Sequence, residues 1–306
     1  MRKVGLLFAA VPVVAGAALY FLAPVESDTS GSQEDTAAAE QSARDDAKAK
    51  AERDTDAAQR AADDKAIAAL PPGLAAEDKK VLAQQLMSSA ESSTLNWRGS
   101  YGAIEDLGEG QGYTAGIIGF CTGTHDLRVL VENYTKAHPD NGLARYIPAL
   151  RKVDGTDSHE GLDPGFTAAW KAEAQNEEFR AAQNTERDRV YFDPAVRLAK
   201  LDGLSTLGQF IYYDAMVFHG PDTSPTGFYG MREQAMEQAE TPAEGGAEGA
   251  FLSAFLDVRR EAMRAKKANA DTTRIDTAQR RFLDSGNFAL KTPLQWQMYG
   301  ETYRVP

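Results

Sequence analysis

The sequence predicts a mainly α-helical domain with at most a small sheet, and three observations favour this class. Apolar residues between positions 71 and 306 recur mostly at helical spacing. Strand signals are limited to two short stretches, YTAGIIGF (113–120) and RVYF (189–192). The sequence shows no regular alternation of strands with helices, as a parallel sheet requires, and no internal repeat.

Two amphipathic helices are predicted in the first half of this domain. The first lies in AAEDKKVLAQQLMSSAE (75–91), has its apolar residues on one face and ends close to Glu91. The second lies in HDLRVLVENYTKAH (125–138), behind Asp126, a residue type that caps helices.

The second half is predicted to be built around one central helix. Residues 193–219 are apolar on several sides, which favours a buried helix, kinked at Gly203 or Gly208. Further helices are predicted around residues 230–240, 250–268 and 273–284.

The N-terminal 70 residues are predicted to lie outside the folded domain. Residues 1–25 combine two basic residues with an apolar run, as in a secretory signal peptide, although the run is long enough for a membrane anchor. Residues 26–70 are rich in Ala, Asp and Glu and have no aromatic residue, which predicts a disordered tether. Both interpretations of the apolar run export the domain of residues 71–306.

The composition excludes several classes of function. A net charge of -12 and a pI near 4.9 argue against nucleic acid as a partner and suit a cationic ligand better. A single cysteine, Cys121, rules out an internal disulfide or a cysteine metal cluster. The four histidines show no zinc-hydrolase spacing, so neither a metal nor a cofactor is expected.

The stretch IEDLGEGQGYTAG (104–116) places three alternating glycines beside three carboxylates. Its G-x-G-x-x-A string matches a dinucleotide fingerprint, but the residues before it lack strand alternation and the acids would repel a phosphate. A tight loop that lines a cleft and presents Glu109 is the better interpretation.

Glu109 and Glu91 could act as the pair of carboxylates that glycoside hydrolysis needs. One acid protonates the leaving oxygen and the other activates a water molecule. Their spacing is weak evidence by itself, because most glutamates of an acidic protein are solvated surface charges.

Seven motifs make the sequence resemble the glycoside hydrolase family 46 chitosanases, and the likeness covers Leu74 to Tyr303. They are SSAESSTLNW, IEDLGEGQGYTAGIIGFCTGTHD, AQNTERDRVYFDPAV, LGQFIYYDAMVFHGP, FLDVRREAM, DTTRIDTAQRRFL and PLQWQMYG. The resemblance implies a lysozyme-like fold of two mostly helical lobes with a substrate groove between them. It also implies a secreted, monomeric enzyme that cleaves β-1,4 bonds of chitosan with inversion, without cofactor or metal.

Two other functions stay open at this point. One is a chitosan-binding protein with impaired catalysis, and the other is a lysozyme-like peptidoglycan hydrolase. The resemblance assigns Glu91 as the general acid. The general base of the family is usually an Asp in a G-D-G-R-G-Y-T loop, so the matching residue here is Glu109, with Asp106 and Glu105 as alternatives.

Further site residues are implied by the resemblance alone. Thr114 would orient the attacking water, although it could simply close the loop. Asp126, Gln111 and His219 would contact substrate; Gln111 replaces the usual Arg, and Asp126 could also cap its helix.

A charge network formed by Arg274, Asp214 and Arg259 would hold the general acid. A carboxylate inside the apolar IYYDAMVF needs such a partner. Lys266 and Ala270 stand where the family often has acids. The residues expected in the core rather than on a sugar or in catalysis are Trp97, Trp170, Trp296 and Cys121.

Overall fold

The structure is a computed structural model that describes Lys50 and residues 55–306. The predicted signal segment and most of the predicted tether lie outside the described residues. The chain divides into two units, Met1–Arg60 and Ala61–Pro306, and the elements described below belong to the second. In the described part, no helix is both long and apolar enough to cross a membrane.

The end of the predicted tether is helical in the structure. Residues 55–60 of the first unit and 61–68 of the second are α-helical, in keeping with their Ala-rich sequence. In the second unit, Arg197 lies 3.4 Å from Asp63 and 3.1 Å from Asp64, which attaches residues 61–68 to the surface of that unit.

Helix α1 spans Glu77–Glu91 and ends where the sequence predicts. It stops because Ser92 leaves the helical region and Ser93 takes a positive φ of 48°. The helix buries one side against the core, so its last residue, Glu91, is held at the edge of a fixed element.

A small antiparallel sheet follows, with strands in the order β1 (Ile104–Asp106), β2 (Tyr113–Ala115) and β3 (Phe120–Cys121). The predicted strand signal at 113–120 is therefore confirmed as β2, β3 and the turn between them. Strand β1 was not predicted, because its three residues depend on pairing with β2 and not on their own alternation.

Five helices continue the chain, and one strand prediction fails among them. The helices are α2 (Asp126–Ala137), α3 (Ile147–Val153), α4 (Phe166–Glu173), α5 (Glu177–Arg187) and α6 (Asp193–Leu201). The stretch RVYF, predicted as a strand, lies in a π-helical turn that joins α5 to α6. Tyr191 and Phe192 bury their rings from this turn, so the flanking helices override the local strand propensity.

Helix α7, Thr206–His219, is the predicted buried central helix. The predicted single kinked helix is instead two separate helices, α6 and α7. The chain turns between them at Gly203, which has a φ of +77°. Gly208 is not a kink; it lies inside α7, where a Cβ atom would come within 2.7 Å of Leu204.

The C-terminal part adds three helices and a π-helical turn: α8 (Phe228–Met236), α9 (Glu248–Lys266), the turn Arg274–Gln279 and α10 (Arg280–Asp284). It ends in a hairpin that was not predicted, formed by β4 (Leu294–Met298) and β5 (Glu301–Val305). Trp296 of β4 is buried and donates a 2.9 Å hydrogen bond to Ser89 of α1. Trp97 and Trp170 are also buried, as predicted. The domain is mainly α with two small sheets, which confirms the predicted class.

Candidate active site

Glu91, the predicted general acid, is anchored by one oxygen and open at the other. Oε1 accepts a hydrogen bond from Nη2 of Arg274, which lies on the π-helical turn Arg274–Gln279. Within the described residues Oε2 has no hydrogen-bond partner, and 34% of the side chain is exposed. A carboxyl group in this position is fixed in direction and still reachable by a ligand.

Behind Glu91 lies the predicted charge network, with both arginines buried. Arg274 Nε lies 3.6 Å from Oδ1 of Asp214, and Arg259 Nη1 lies 2.6 Å from Oδ2. Gln279 donates a 2.7 Å hydrogen bond to the same Oδ2 and accepts one of 3.0 Å from Arg259. Burial would raise the pKa of Asp214, but the charges of Arg274 and Arg259 outweigh it and hold the pKa below its usual range.

His219, predicted to contact substrate, lies in this network. Nε2 accepts a 3.4 Å hydrogen bond from Nε of Arg259, and Nδ1 lies 3.0 Å from the carbonyl oxygen of Thr226. Burial, followed by the charge of Arg259, lowers the pKa of His219 to about 2, so the ring is neutral and donates from Nδ1. With both nitrogens in internal hydrogen bonds, the ring supports the core in this structure and offers no nitrogen to a sugar.

Glu109, the predicted base, projects from the glycine loop between β1 and β2. Gly108, Gly110 and Gly112 all have positive φ, between 63° and 79°, so the backbone of this loop needs them. The Glu109 side chain is 63% exposed, and its Oε1 lies 3.6 Å from Nζ of Lys267. Lys267 directly follows α9, so this ion pair joins the C-terminal end of α9 to the glycine loop.

The two alternative bases differ from Glu109 in their surroundings. Asp106 accepts a 2.8 Å hydrogen bond from the backbone of Gly108 and lies 3.2 Å from Nε2 of His159. Its carboxylate therefore supports the loop. Glu105 is exposed on β1, opposite Thr114 in the strand register.

Thr114 and Gln111 meet at the thiol of Cys121. The Thr114 hydroxyl lies 3.2 Å from Sγ of Cys121, and Sγ lies 3.4 Å from Oε1 of Gln111. Burial raises the pKa of Cys121 to about 11, so the thiol keeps its proton. As predicted, Cys121 is buried, but it also connects two candidate site residues.

Asp126 is the first residue of α2 and is mostly buried. Its Oδ1 accepts hydrogen bonds from the backbone N–H groups of Cys121 and Leu127 and from the Thr124 hydroxyl, and Oδ2 accepts one of 2.7 Å from Tyr191. Burial raises the pKa of Asp126 even so. The predicted cap is therefore wrong: the N-cap of α2 is His125, which makes no side-chain cap hydrogen bond, and Asp126 is the first residue inside the helix. A glucosamine ammonium could reach only the small exposed edge of its carboxylate.

The acid and the loop belong to one electrostatic environment. The charge of Glu91 contributes to raising the pKa of Cys121, the residue that contacts Thr114. Glu91 of α1 and Thr114 of β2 therefore lie within electrostatic range of the same thiol.

The comparison with protein families shows to which family this chain belongs. The model of glycosyl hydrolase family 46 matches residues 85–294, more than half of the chain. The chain belongs to glycosyl hydrolase family 46. It is therefore a glycoside hydrolase.

Relatives and solved structures agree with this assignment. A chitosanase of Streptomyces sp. (strain N174) is 53% identical over 233 residues, which cover 76% of this chain and 84% of that protein. A co-crystal structure of a chitosanase with substrate has 52% identity and a TM-score of 0.75, covering 76% of this chain and 98% of that one. A family 46 chitosanase of Gynuella sunshinyii, in complex with chitotetraose, has 30% identity and a TM-score of 0.69, covering 74% of this chain and 97% of that one.

Three residues near the site of this family 46 chain were not singled out from sequence. Gln279 completes the buried network, Lys267 contacts Glu109, and His159 contacts Asp106. No spacing rule connects these residues to Asp214, Glu109 and Asp106, from which they are separated by more than 50 residues. Across the described residues, no group of three His, Cys, Asp or Glu side chains is placed to hold a metal ion.

Proposed function

We propose that this protein is an endo-chitosanase that hydrolyses β-1,4 bonds between glucosamine units by an inverting acid–base mechanism. The relatives that cover most of the domain are chitosanases, and two solved neighbours were crystallised with substrate or chitotetraose. Chitosan is a polycation, which suits a chain of net charge -12. We also propose that the protein is exported and acts as a monomer.

One observation supports the chemistry more than any other: Glu91 is fixed through one oxygen while Glu109 stands exposed on a separate loop. Arg274 holds Oε1 of Glu91, so Oε2 is the oxygen that would carry the proton. That proton passes to the glycosidic oxygen as the bond to the anomeric carbon breaks.

The second carboxylate acts on water. Glu109 takes a proton from a water molecule that attacks the anomeric carbon from the opposite face, which inverts its configuration. Thr114 can orient this water, because a hydroxyl group both donates and accepts hydrogen bonds. Lys267 forms an exposed ion pair with this carboxylate, with Nζ 3.6 Å from Oε1.

The test is release of reducing ends from highly deacetylated chitosan by the wild type, Glu91→Gln and Glu109→Gln. Removing a general acid or base costs on the order of 100- to 10,000-fold in rate, so both variants should lose at least 100-fold. Glu105→Gln is the matched control, because it removes an exposed carboxylate from the adjacent strand. Proton NMR of the first products should show the α-anomer.

Three other outcomes of these measurements would each reject one part of the proposal. Retained activity in Glu109→Gln with loss in Asp106→Asn or Glu105→Gln would move the base to that residue. Binding without hydrolysis by the wild type would mean a chitosan-binding protein with impaired catalysis. Cleavage of peptidoglycan in preference to chitosan would mean a lysozyme-like specificity.

A further inference from the structure

Two exposed aromatic side chains, Phe218 and Tyr299, lie beside the Arg274–Glu91 ion pair on elements that are far apart in the sequence. Among the described residues only four large hydrophobic side chains are exposed, and these two are 41% and 48% exposed. Single exposed apolar residues are common on protein surfaces, whereas exposed apolar surface gathered at one place is typical of a binding site. Their common position beside the general acid therefore indicates a ligand that covers them.

Phe218 is the penultimate residue of α7, and its ring lies against two guanidinium groups. Cζ of Arg274 is 4.7 Å from the ring centroid, and Cζ of Arg259 is 5.8 Å from it. Both arginines are buried, so the ring has one side towards these charges and the other towards solvent. One guanidinium group, that of Arg274, separates the ring from the Glu91 carboxyl group.

Tyr299 approaches the same arginine from the C-terminal hairpin. It is the first residue of the two-residue loop that joins β4 to β5. Its backbone N–H donates a 3.4 Å hydrogen bond to the hydroxyl group of Thr273, the residue before Arg274. Burial raises the pKa of the Tyr299 hydroxyl, the charge of Arg274 lowers it and the charge of Glu91 raises it. The side chain therefore lies within electrostatic range of the general acid and of the arginine that holds it.

The backbone conformation at Tyr299 makes local folding a poor explanation for a tyrosine there. Tyr299 has a φ of +51° and Gly300 a φ of +83°, and hairpin loops with positive φ at both positions favour Asn, Asp or Gly. A left-handed backbone costs free energy for a residue with a Cβ atom, and a bulky side chain is unusual in it. Since nearly half of the side chain is exposed, packing offsets only part of that cost. A ligand-binding role accounts for the tyrosine better.

A glucosamine unit has two kinds of group that an aromatic ring binds. The C–H groups of its pyranose ring form an apolar face, which can lie on the exposed surface of Phe218 or Tyr299. Its ammonium group is attracted by the negative face of an aromatic ring. An aromatic surface therefore suits a cationic sugar, and it does so without adding a carboxylate beside Glu91.

We propose that Phe218 and Tyr299 are substrate-binding residues, and that a glucosamine unit next to the scissile bond stacks on their rings. The inference rests on the proposed function, to which it adds the surface that holds this sugar beside the general acid. Stacking there places the glycosidic oxygen near Oε2 of Glu91, the oxygen that Arg274 does not hold.

The test is equilibrium binding of a glucosamine hexamer, measured by calorimetry on the full chain carrying Glu109→Gln so that the ligand stays intact. Phe218→Leu and Tyr299→Asn, each added to this background, should raise Kd about fivefold, the factor that an aromatic contact typically contributes. Phe218→Trp retains a ring and should stay within twofold of the background. Leu70→Ala removes an exposed apolar side chain that precedes α1 and should leave Kd unchanged.

Two readouts separate a role in binding from a role in folding. Asparagine suits a left-handed backbone, so Tyr299→Asn should have a urea midpoint no lower than that of the wild type while it binds the hexamer less tightly. In a chain that keeps Glu109, Phe218→Leu should raise KM about fivefold and leave kcat within twofold. A loss of kcat with unchanged KM would mean that Phe218 only supports Arg274, and would overturn its place in the binding surface.

The remaining outcomes distinguish failure of this proposal from failure of the proposed function. A Kd within twofold of the background for both Phe218→Leu and Tyr299→Asn, in a protein whose wild type cleaves chitosan, overturns the aromatic surface alone. A wild type that neither binds nor cleaves the hexamer rejects the proposed function, and the surface with it. Weaker binding by Tyr299→Asn that accompanies a lower urea midpoint assigns this ring to the fold and overturns its part in binding.

Discussion

At the scale of single residues, the site depends on how differently two glutamates are held. Glu91 is tied to a buried arginine, whereas Glu109, within the part of the chain that the structure describes, is paired with an exposed lysine. By the sequence resemblance, Glu109 stands where an Asp is usual, and a glutamate side chain is longer by one methylene group. The Glu109 carboxylate lies 3.6 Å from Nζ of Lys267, a contact that sequence spacing did not suggest.

We expect Lys267→Met to lower KM for chitosan up to about fivefold at low salt, with the difference lost near 0.5 M salt. Lys267 competes with substrate ammonium groups for Glu109, and an exposed ion pair contributes roughly 0–1 kcal/mol, which salt screens. Initial rates over a range of chitosan concentrations measure the effect. Lys266→Met removes the same charge from the adjacent position without this contact, and an equal decrease in both variants would contradict the assignment.

At the scale of elements, the glycine loop is defined by close packing at its C-terminal end and by open space at its tip. A Cβ atom on Gly112 would lie 2.2 Å from the Thr122 hydroxyl and 3.2 Å from the backbone of Thr156 and Asp157. At Gly110 a Cβ atom would meet nothing within 4 Å, although both glycines have positive φ.

Because Gly110 and Gly112 share a positive φ but differ in the space around them, their alanine substitutions form a matched pair of variants. Gly110→Ala should cost about 1 kcal/mol of unfolding free energy, from the left-handed backbone alone. Gly112→Ala should cost roughly 2–4 kcal/mol, because overlap with Thr122 and Thr156 is added, and should also reduce activity by moving the loop. Urea unfolding measures the first quantity and chitosan hydrolysis the second. Equal destabilisation by the two variants would mean that the loop relaxes freely.

At the scale of the whole molecule, the buried charges make stability depend on pH. Burial lowers the pKa of His219 from 6.5 to about 2, so the unfolded chain binds a proton here at pH values where the folded protein does not. Stability contributed by the neutral ring is thus lost progressively as pH falls below 6.5. The maximum slope from this one residue is about 1.4 kcal/mol per pH unit.

His219→Gln should remove this slope. The variant should be less stable than the wild type at pH 7, and the difference should shrink by about 1 kcal/mol or more per pH unit between pH 6 and 4, since glutamine does not titrate. Urea unfolding at each pH provides the free energies. A dependence of the unfolding free energy on pH that is parallel in His219→Gln and the wild type would refute the buried neutral ring.

The sequence by itself determined the helical class, the end of α1 at Glu91, the central helix α7 and the pair of candidate carboxylates. These follow from periodicity, from chain-breaking glycines and from motifs that are contiguous in the chain. The tertiary structure decided what depends on partners distant in sequence. It turned RVYF into a helical turn, directed both nitrogens of His219 into the core, and brought His159 and Lys267 to the glycine loop. The physical reason is that burial and long-range ion pairs act between elements whose approach no local pattern encodes.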